Sequence, residues 1–591
     1  MEIEQTMKQE PEIVDHEKWV YDSSLDHKGN IPLRASTGTW KASIFFIVIE
    51  FSERMIFFGL ALSLMLYLTK ALNQDLNTAA KSVNYWMGVT TLMPLLGGFV
   101  ADAYLGRFST VLASSIIYLL GMILLTMSRA IPGLKACGED TCTEPRKTHE
   151  ILFFLAMYLI AIGTGGHTPS LESFGADQFD DDHPEERNKK MSFFNWWNFG
   201  LCSGALISVT VIVYIQENVS WASADITLTV LMAFTVVIFL FGRPFYRFRA
   251  PTGSPLTPLL QVLFAAFAKR NLTYPSRVDQ LYEVSKSGKA RSRLLFHTNR
   301  FKFLDKAAII EEDEQNSMEK QNPWRLATVT KVEEMKLIIN MIPIWLTTLP
   351  FDICIAQGST FFIKQGMELN RKLTPDFTIP PASLNALSSI GMLATVVIYD
   401  KALEPFFRKI TRKERGINIL QRIGIGMSLL IVTMMVGAIV EKKRLDLVEK
   451  NPSNGSISMS IFWLAPQYII CGIAAGFGLV GLQEFFYEQV PDSMRSIGIA
   501  LYLSVGGAAN FLSSLLITLV DRVTEKYGKS WIGKDMNSSR VDYFYWLLAG
   551  FTAVNLCVYV IIARQYSYKN VRRATVAVTD CYEIDGAVTM A

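Results

Sequence analysis

The chain has 591 residues, half of them hydrophobic, only 19% charged, and a formal net charge of +3, which excludes an ordinary soluble multidomain protein. So small a net charge over so long a chain offers no nucleic-acid surface, because such binding needs a clustered basic face. Composition points to a polytopic membrane protein with the lipid bilayer as its solvent.

Residues 1–40 form a polar N-terminal tail with no apolar core, so no cleavable signal peptide is expected and the first spanning helix targets the chain. The stretch Ile44 to Leu68 is apolar enough to span, yet it carries Glu50, Glu53 and Arg54 near its middle. A helix crosses the hydrocarbon core with about 20 apolar residues, and each central charge costs about 2.5 to 3.5 kcal/mol. These three side chains must therefore face protein or a water-filled cavity. Spacings of three and four put them on one helix face, where carboxylates and a guanidinium can pair and share protons.

Further apolar segments fall at Ser82 to Ala103, Thr110 to Met127, Ile151 to Thr168, Phe193 to Tyr214 and Ile226 to Gly242, closing a first group of six over 41–242. Residues 243–334 are hydrophilic and rich in Lys and Arg, apart from Leu259 to Arg270, which predicts an amphipathic helix on the membrane surface. A second group of six occupies 335–563, at Met335 to Phe362, Ala382 to Tyr399, Ile417 to Val440, Ser458 to Val480, Ile497 to Val520 and Tyr543 to Ala563. A polar tail, 564–591, follows. The predicted fold is an all-α membrane protein with twelve transmembrane helices in two six-helix bundles.

Basic residues collect in the central interval, at Arg408 to Arg415 and at Lys569 to Arg573, which places all three with both termini on the cytosolic side. Glu441 to Lys450 runs against that rule. The sequons at Asn454 and Asn537 then face outward. Cys137 and Cys142 share one short polar loop and can form a disulfide if it is extracytosolic, while the seven cysteines show no metal-ligand spacing. No metal site, cofactor, nucleophile triad or phosphate loop is expected, and so no enzyme.

Gly97 to Arg107, GGFVADAYLGR, ends the second span; its glycines allow close helix approach, and Asp102 and Arg107 can form a charge lock or be solvated charges of a tight turn. The spacing resembles the loop signature of the major facilitator superfamily, which implies the gating role and that superfamily's fold. Glu50-Phe51-Ser52-Glu53-Arg54 resembles the ExxER element of proton-coupled oligopeptide transporters. Gly163 to Phe179 (GTGGHTPSLESFGADQF) and Phe193 to Gly200 (FFNWWNFG) resemble that group's fourth-helix and fifth-helix signatures. With Leu420 to Met427 and Val490 to Gly498, the chain resembles the plant nitrate transporter/peptide transporter family, its fifth subfamily in particular.

The resemblance implies proton coupling at Glu50, Glu53 and Arg54, and a fourth-helix lysine at the position held here by Thr168. A tenth-helix acid aligns with Ala475, the seventh-helix histidine of nitrate recognition with Ile355, and a tyrosine pair with Phe57 and Phe58. Without the lysine, two carboxylates share one cation, Arg54, and proton uptake can survive in altered form. Loss of the lysine and the histidine removes two attractors for an anion such as nitrate. Thr110 aligns with a threonine whose phosphorylation tunes affinity in a family member, which implies a regulatory kinase; a simple cap for the third helix is the other reading.

Asp352 lies in the seventh apolar segment beside Pro350. Two readings stand: a cavity carboxylate one turn from Ile355, or a cap for a helix broken at Pro350. His167 is read as structural, since it points away from the Thr168 face. His183 lies in Asp180 to Lys190, read as an exposed loop, and Trp196 and Trp197 are read as packing residues.

The expected function is a proton-coupled symporter of a small nitrogen-containing solute, working by alternating access, with di/tripeptides or other small organic solutes ranked ahead of nitrate. The alternatives are an uncoupled uniporter of the same solutes and a nutrient receptor with a transporter fold. Arg54, Thr168, Asp352, Ile355 and Ala475 are the expected cavity positions. The partners are the solute, protons and the bilayer, with the plasma membrane ahead of the vacuolar membrane.

Overall fold

The computed structural model describes residues 18–22, 24–131, 134, 147–180, 183–251, 253–254, 256–272, 281–282, 297–310, 322–375, 377–411, 417–450, 458–490, 495–528, 530–533 and 535–568. The Cys137–Cys142 pairing, the Asn454 sequon and the Lys569 to Arg573 cluster lie outside these residues. Two compact units are present. One comprises Met1–Gly253, Ile344–Phe486 and Ile499–Arg564; the other comprises Ser254–Pro343, Tyr487–Gly498 and Gln565–Ala591.

The larger unit holds the long helices. In its N-terminal half these are α1 (Thr39–Lys70), α2 (Leu76–Val100, continued by a π-helical turn Ala101–Leu105), α3 (Arg107–Ala130) and α4 (Lys147–Ala176). They are followed by α5 (Pro184–Ile207, running on through Ser208–Ile212 and Val213–Asn218) and α6 (Trp221–Phe241). In the smaller unit, α7 (Thr257–Ala268) precedes the start of α8 (Val329–Ile355). The C-terminal half continues with α9 (Asn385–Ile398), α10 (Ile419–Lys450), α11 (Ala465–Gln489), α12 (Arg495–Lys526) and α13 (Val541–Gln565).

Each of the twelve predicted spans falls on a helix. Among the described residues, eleven helices are long and apolar enough to cross a membrane, and α1 is outside that set. At 32 residues α1 has the length to span, and its three central charges set its composition apart from the rest. The run Asp180 to Lys190, expected as an exposed loop, instead enters α5 at Pro184, where proline is pre-set for the first helical turn and its missing N–H is not needed.

Glycine sets how closely α2 and α4 approach. A Cβ at Gly97 would overlap the Gly165 carbonyl, and one at Gly165 would overlap Met93. At the head of α1, Gly38 has φ 70°, and a side chain there would strike the Arg247 guanidinium and the Gln178 carbonyl. Arg247 is fully buried; its Nη1 donates to Glu186 at 2.7 Å and its Nη2 to the Thr37 carbonyl at 3.0 Å. Arg34 grips the same carboxylate at 2.5 Å and Asp180 at 2.9 Å.

Polar links join the two halves of the larger unit. Arg371 pairs with Glu217 at 3.1 Å, Asn77 donates to Asp521, and Asn84 donates to Ser513 at 3.1 Å. Leu62, Leu66, Val209, Val213, Ile363 and Ala382 form one apolar cluster across the same seam.

In the smaller unit the buried stripe of α7, Leu259, Val262, Ala265 and Ala266, packs on Leu304, Ala307, Ala308, Val332 and Met335. His297, Asp305 and Glu333 sit close enough to suggest a cation site. The Lys336 ammonium already occupies it, 2.6 Å from Asp305 and 2.8 Å from Glu333, and Thr298 donates to both Glu333 oxygens.

Burial works against ionisation of Glu186, but the bonds from Arg247 and the charges of Arg247 and Arg34 outweigh it and hold the carboxyl below its usual 4.5. The stabilisation is therefore complete above about pH 4.5 and is lost as pH falls through the lowered folded value. Glu186→Gln leaves Arg247 buried without its counter-charge, so stability at neutral pH should fall by about 3 to 5 kcal/mol. Thermal melts in detergent across pH should also show a weaker acid dependence in this variant than in the wild type.

Candidate functional site

Glu50, Glu53 and Arg54 lie on the buried face of α1, both carboxylates almost fully removed from solvent. Arg54 Nε is 2.6 Å from Glu53 Oε2 and 3.2 Å from Glu50 Oε1, so one guanidinium edge serves both acids. The contact is electrostatic rather than well aligned. Among the described residues, Glu50 Oε2, both Glu53 oxygens and Arg54 Nε make no hydrogen bond. The far edge of Arg54 is anchored instead: Nη2 donates to Thr168 Oγ1 at 2.9 Å, across to α4. Below it lies Phe57, whose ring centroid is 5.3 Å from the guanidinium carbon and which stacks on Trp86. Trp86 is fixed in turn by a 2.8 Å bond from its indole N–H to the Met157 carbonyl.

Around this triad the structure gathers further polar groups, of which sequence reading passed over Glu172 and Tyr118. Glu172, one turn beyond Thr168 on α4, is close enough to act electrostatically on Glu50 and Arg54. The Tyr118 hydroxyl of α3 is buried near Glu53. His167 is fully buried, and neither ring nitrogen has a hydrogen-bond partner among the described residues. The signal for Glu172 was present inside the fourth-helix motif; that for Tyr118 was not, because a tyrosine in an apolar helix reads as packing.

Asp352 is buried on α8, which stays helical through Pro350 and tightens only at Ala356–Ser359. The reading of Asp352 as a cap for a helix broken at Pro350 is thereby removed. A Cβ on Gly506 of α12 would lie 3.8 Å from Asp352 Oδ2 and 3.5 Å from Thr91 of α2, so this carboxylate faces the seam between the halves. Tyr502 is within its electrostatic reach, and no cation pairs with Asp352 among the described residues. Ile355 is half-buried and Ala475 is buried on α11; no hydrogen bond or ion pair joins either to Arg54 among the described residues.

Asp102 lies in the π-helical turn that ends α2, 3.2 Å from Arg107 Nε. Arg107 Nη1 reaches Asp177 at 2.5 Å and the Ser173 carbonyl at 3.2 Å. Arg249 extends this series from Asp177 at 3.3 Å to Asp22 at 2.7 Å. The charges ring a small cavity of about 110 Å³ that Pro251 also lines. Burial pushes the Asp177 carboxyl up, against the pull of Arg107 and Arg249. Thr110, the phosphorylation candidate, is buried, and its hydroxyl donates to the Gly106 carbonyl at 3.0 Å; no side-chain cap is made at the head of α3. Trp197 packs on Phe193 as expected, whereas Trp196 is exposed beside Phe199. Asn537 of the second sequon accepts a bond from Arg444 and donates to Glu368 at 3.3 Å.

The PTR2 profile, described as POT family, matches residues 108–533. The chain belongs to the POT family. It is 60% identical over 559 residues to Protein NRT1/ PTR FAMILY 5.6 of Arabidopsis thaliana, covering 94% of this chain and 96% of that protein. It is 59% identical over 569 residues to Protein NRT1/ PTR FAMILY 5.7 of the same plant, covering 96% and 94% respectively. These matches place this POT chain among the plant NRT1/PTR transporters, beside fifth-subfamily members. The crystal structure of an auto-inhibited POT family peptide transporter superposes with a TM-score of 0.67 at 18% identity, over 90% of this chain and 99% of that one. The fold is that of the major facilitator superfamily, and this POT member is a multi-pass membrane transporter, not an enzyme.

Arg54→Met leaves two buried carboxylates without a cation and should cost about 3 to 5 kcal/mol. Thr168→Val, which removes one acceptor, should cost only about 1 to 3 kcal/mol. Thermal melts of the two purified variants check this order.

Proposed function

We propose that this POT protein is a proton-coupled symporter of a small nitrogen-containing solute, with short peptides or other small organic solutes ranked ahead of nitrate. The observation that carries the reading is the buried triad, in which Glu50 and Glu53 share Arg54 while Arg54 is tied to Thr168. Two carboxylates with one cation leave a net negative charge away from water, and a proton cancels it at little structural cost. Glu50 and Glu53 are then the proton acceptors, and Arg54 is a hydrogen-bond donor able to exchange Thr168 for a substrate carboxylate.

In the proposed cycle the bundles 41–242 and 335–563 rock about the seam, the intervening 243–334 and the two tails lying on the cytosolic side. Glu217–Arg371 holds one end closed, and the Asp102–Arg107–Asp177 series stabilises one gate state at the other. Asp352, facing the seam with no cation beside it among the described residues, supports selection of a cationic or zwitterionic solute and disfavours nitrate. Neither Ile355 nor Ala475 can replace the histidine and the acid that the family resemblance implies at those positions. Thr110 as a phosphoacceptor requires local opening of the start of α3, since its hydroxyl is buried. The plasma membrane is the proposed site of action.

A second reading, an uncoupled uniporter, is favoured by one observation: Thr168 gives Arg54 a neutral partner where the family lysine would add a competing cation. Uptake into proteoliposomes of radiolabelled dipeptides, amino acids and nitrate, with and without an inward proton gradient, separates the readings. Accumulation of an organic solute should need the gradient, and Asp352→Asn should reduce uptake of cationic more than anionic members of the panel. Gradient-independent equilibration would support the uniporter, and nitrate as the preferred solute would remove the role given to Asp352.

A further inference from the structure

Helix α7 is apolar on two faces. Its inner stripe is the buried one, while Leu260, Leu263, Phe264 and Phe267, at spacings of three, four and seven, form a second stripe that points outward. Their exposures are 55, 38, 57 and 67%, so this is not the edge of a core. A helix apolar all round is normally covered on all sides. Phe303 and Trp324, 56 and 43% exposed, flank the stripe and with it line a groove of about 680 Å³. The Phe264 and Trp324 rings meet edge to face, 5.9 Å apart, which holds the wall of the groove in shape.

Among the described residues, the charges that line the groove have one sign. Arg270 places its guanidinium 4.7 Å from the Phe267 ring centroid, and Lys306 is pinned beside it by a 2.5 Å bond to the Arg270 carbonyl. Lys302 and Arg325, next in sequence to Phe303 and Trp324, are exposed, and among the described residues no carboxylate lines the groove. Aromatic and leucine side chains projecting from a helix, bordered by cations whose aliphatic stems cover the apolar edge, match the boundary between acyl chains and anionic headgroups.

We propose that the outward face of α7, with Phe303 and Trp324, docks on a bilayer surface carrying anionic phospholipids. Phe264 and Phe267 enter the acyl boundary, and Arg270 and Lys306 select the anionic headgroup. The full-length transporter in nanodiscs, with p-benzoylphenylalanine in place of Phe267, tests this by photo-crosslinking in phosphatidylcholine alone and in mixtures with phosphatidylserine. The expected adduct is phospholipid, with phosphatidylserine enriched about fivefold per engaged cation over its share of the bilayer. The Arg270→Glu/Lys306→Glu variant should keep the lipid adduct and lose the enrichment. Adducts to a peptide of this chain or of another protein would overturn the proposal, as would lipid adducts blind to the headgroup.

Discussion

Two acids and one guanidinium, buried together in the middle of a helix built for lipid, are the constraint on which the rest of this structure depends. Among the described residues no group other than Arg54 pairs with either glutamate, so Arg54 is what makes the pair tolerable away from water. Arg54 in turn needs a partner for its other edge, and that partner is on a different helix. The glycines that bring α4 against α2, and with it Thr168 toward α1, are therefore part of the site as much as of the fold. The floor of Phe57 and Trp86 serves the same end, keeping the guanidinium over a face of negative potential.

That arrangement separates this chain from the pattern its motifs resemble. A lysine at position 168 would have shared the two carboxylates with Arg54; a threonine can only accept from it. Glu172 and, at the seam between halves, Asp352 add further acidic groups to that surplus of acids rather than offsetting it. The cytosolic gate in the proposed cycle has a different character. Its series from Asp102 through Arg107, Asp177 and Arg249 to Asp22 runs from buried to exposed positions, and it draws in the segments before α1 and after α6. In that proposed cycle the series couples movement of α2 against α4 to both ends of the N-terminal half.

Much of this was legible in the residues. Apolar length and spacing located twelve helices, because hydrocarbon leaves the backbone few alternatives to bonding itself. The ExxER face was legible for the same reason that a central charge is costly. What escaped was whatever depends on a neighbour distant in sequence. Asp180 to Lys190 looked solvated because nothing local shows that Arg34 and Arg247 will bury Glu186. The π-helical turn at Asp102 follows from packing rather than from composition. Pro350 suggested a break, yet the helix absorbs it and only tightens, at Ala356–Ser359. Thr110 sits where a cap was expected and bonds back to its own helix instead.

The account stands or falls on whether the buried acids of α1 carry the transported proton. Solute counterflow and acid-driven accumulation, measured side by side in proteoliposomes of Glu50→Gln/Glu53→Gln, test this most directly. Counterflow, which needs binding and rocking but no net proton movement, should persist while accumulation against a gradient is abolished. Accumulation at the wild-type level in the doubly neutralised protein would contradict the assignment and move the proton elsewhere.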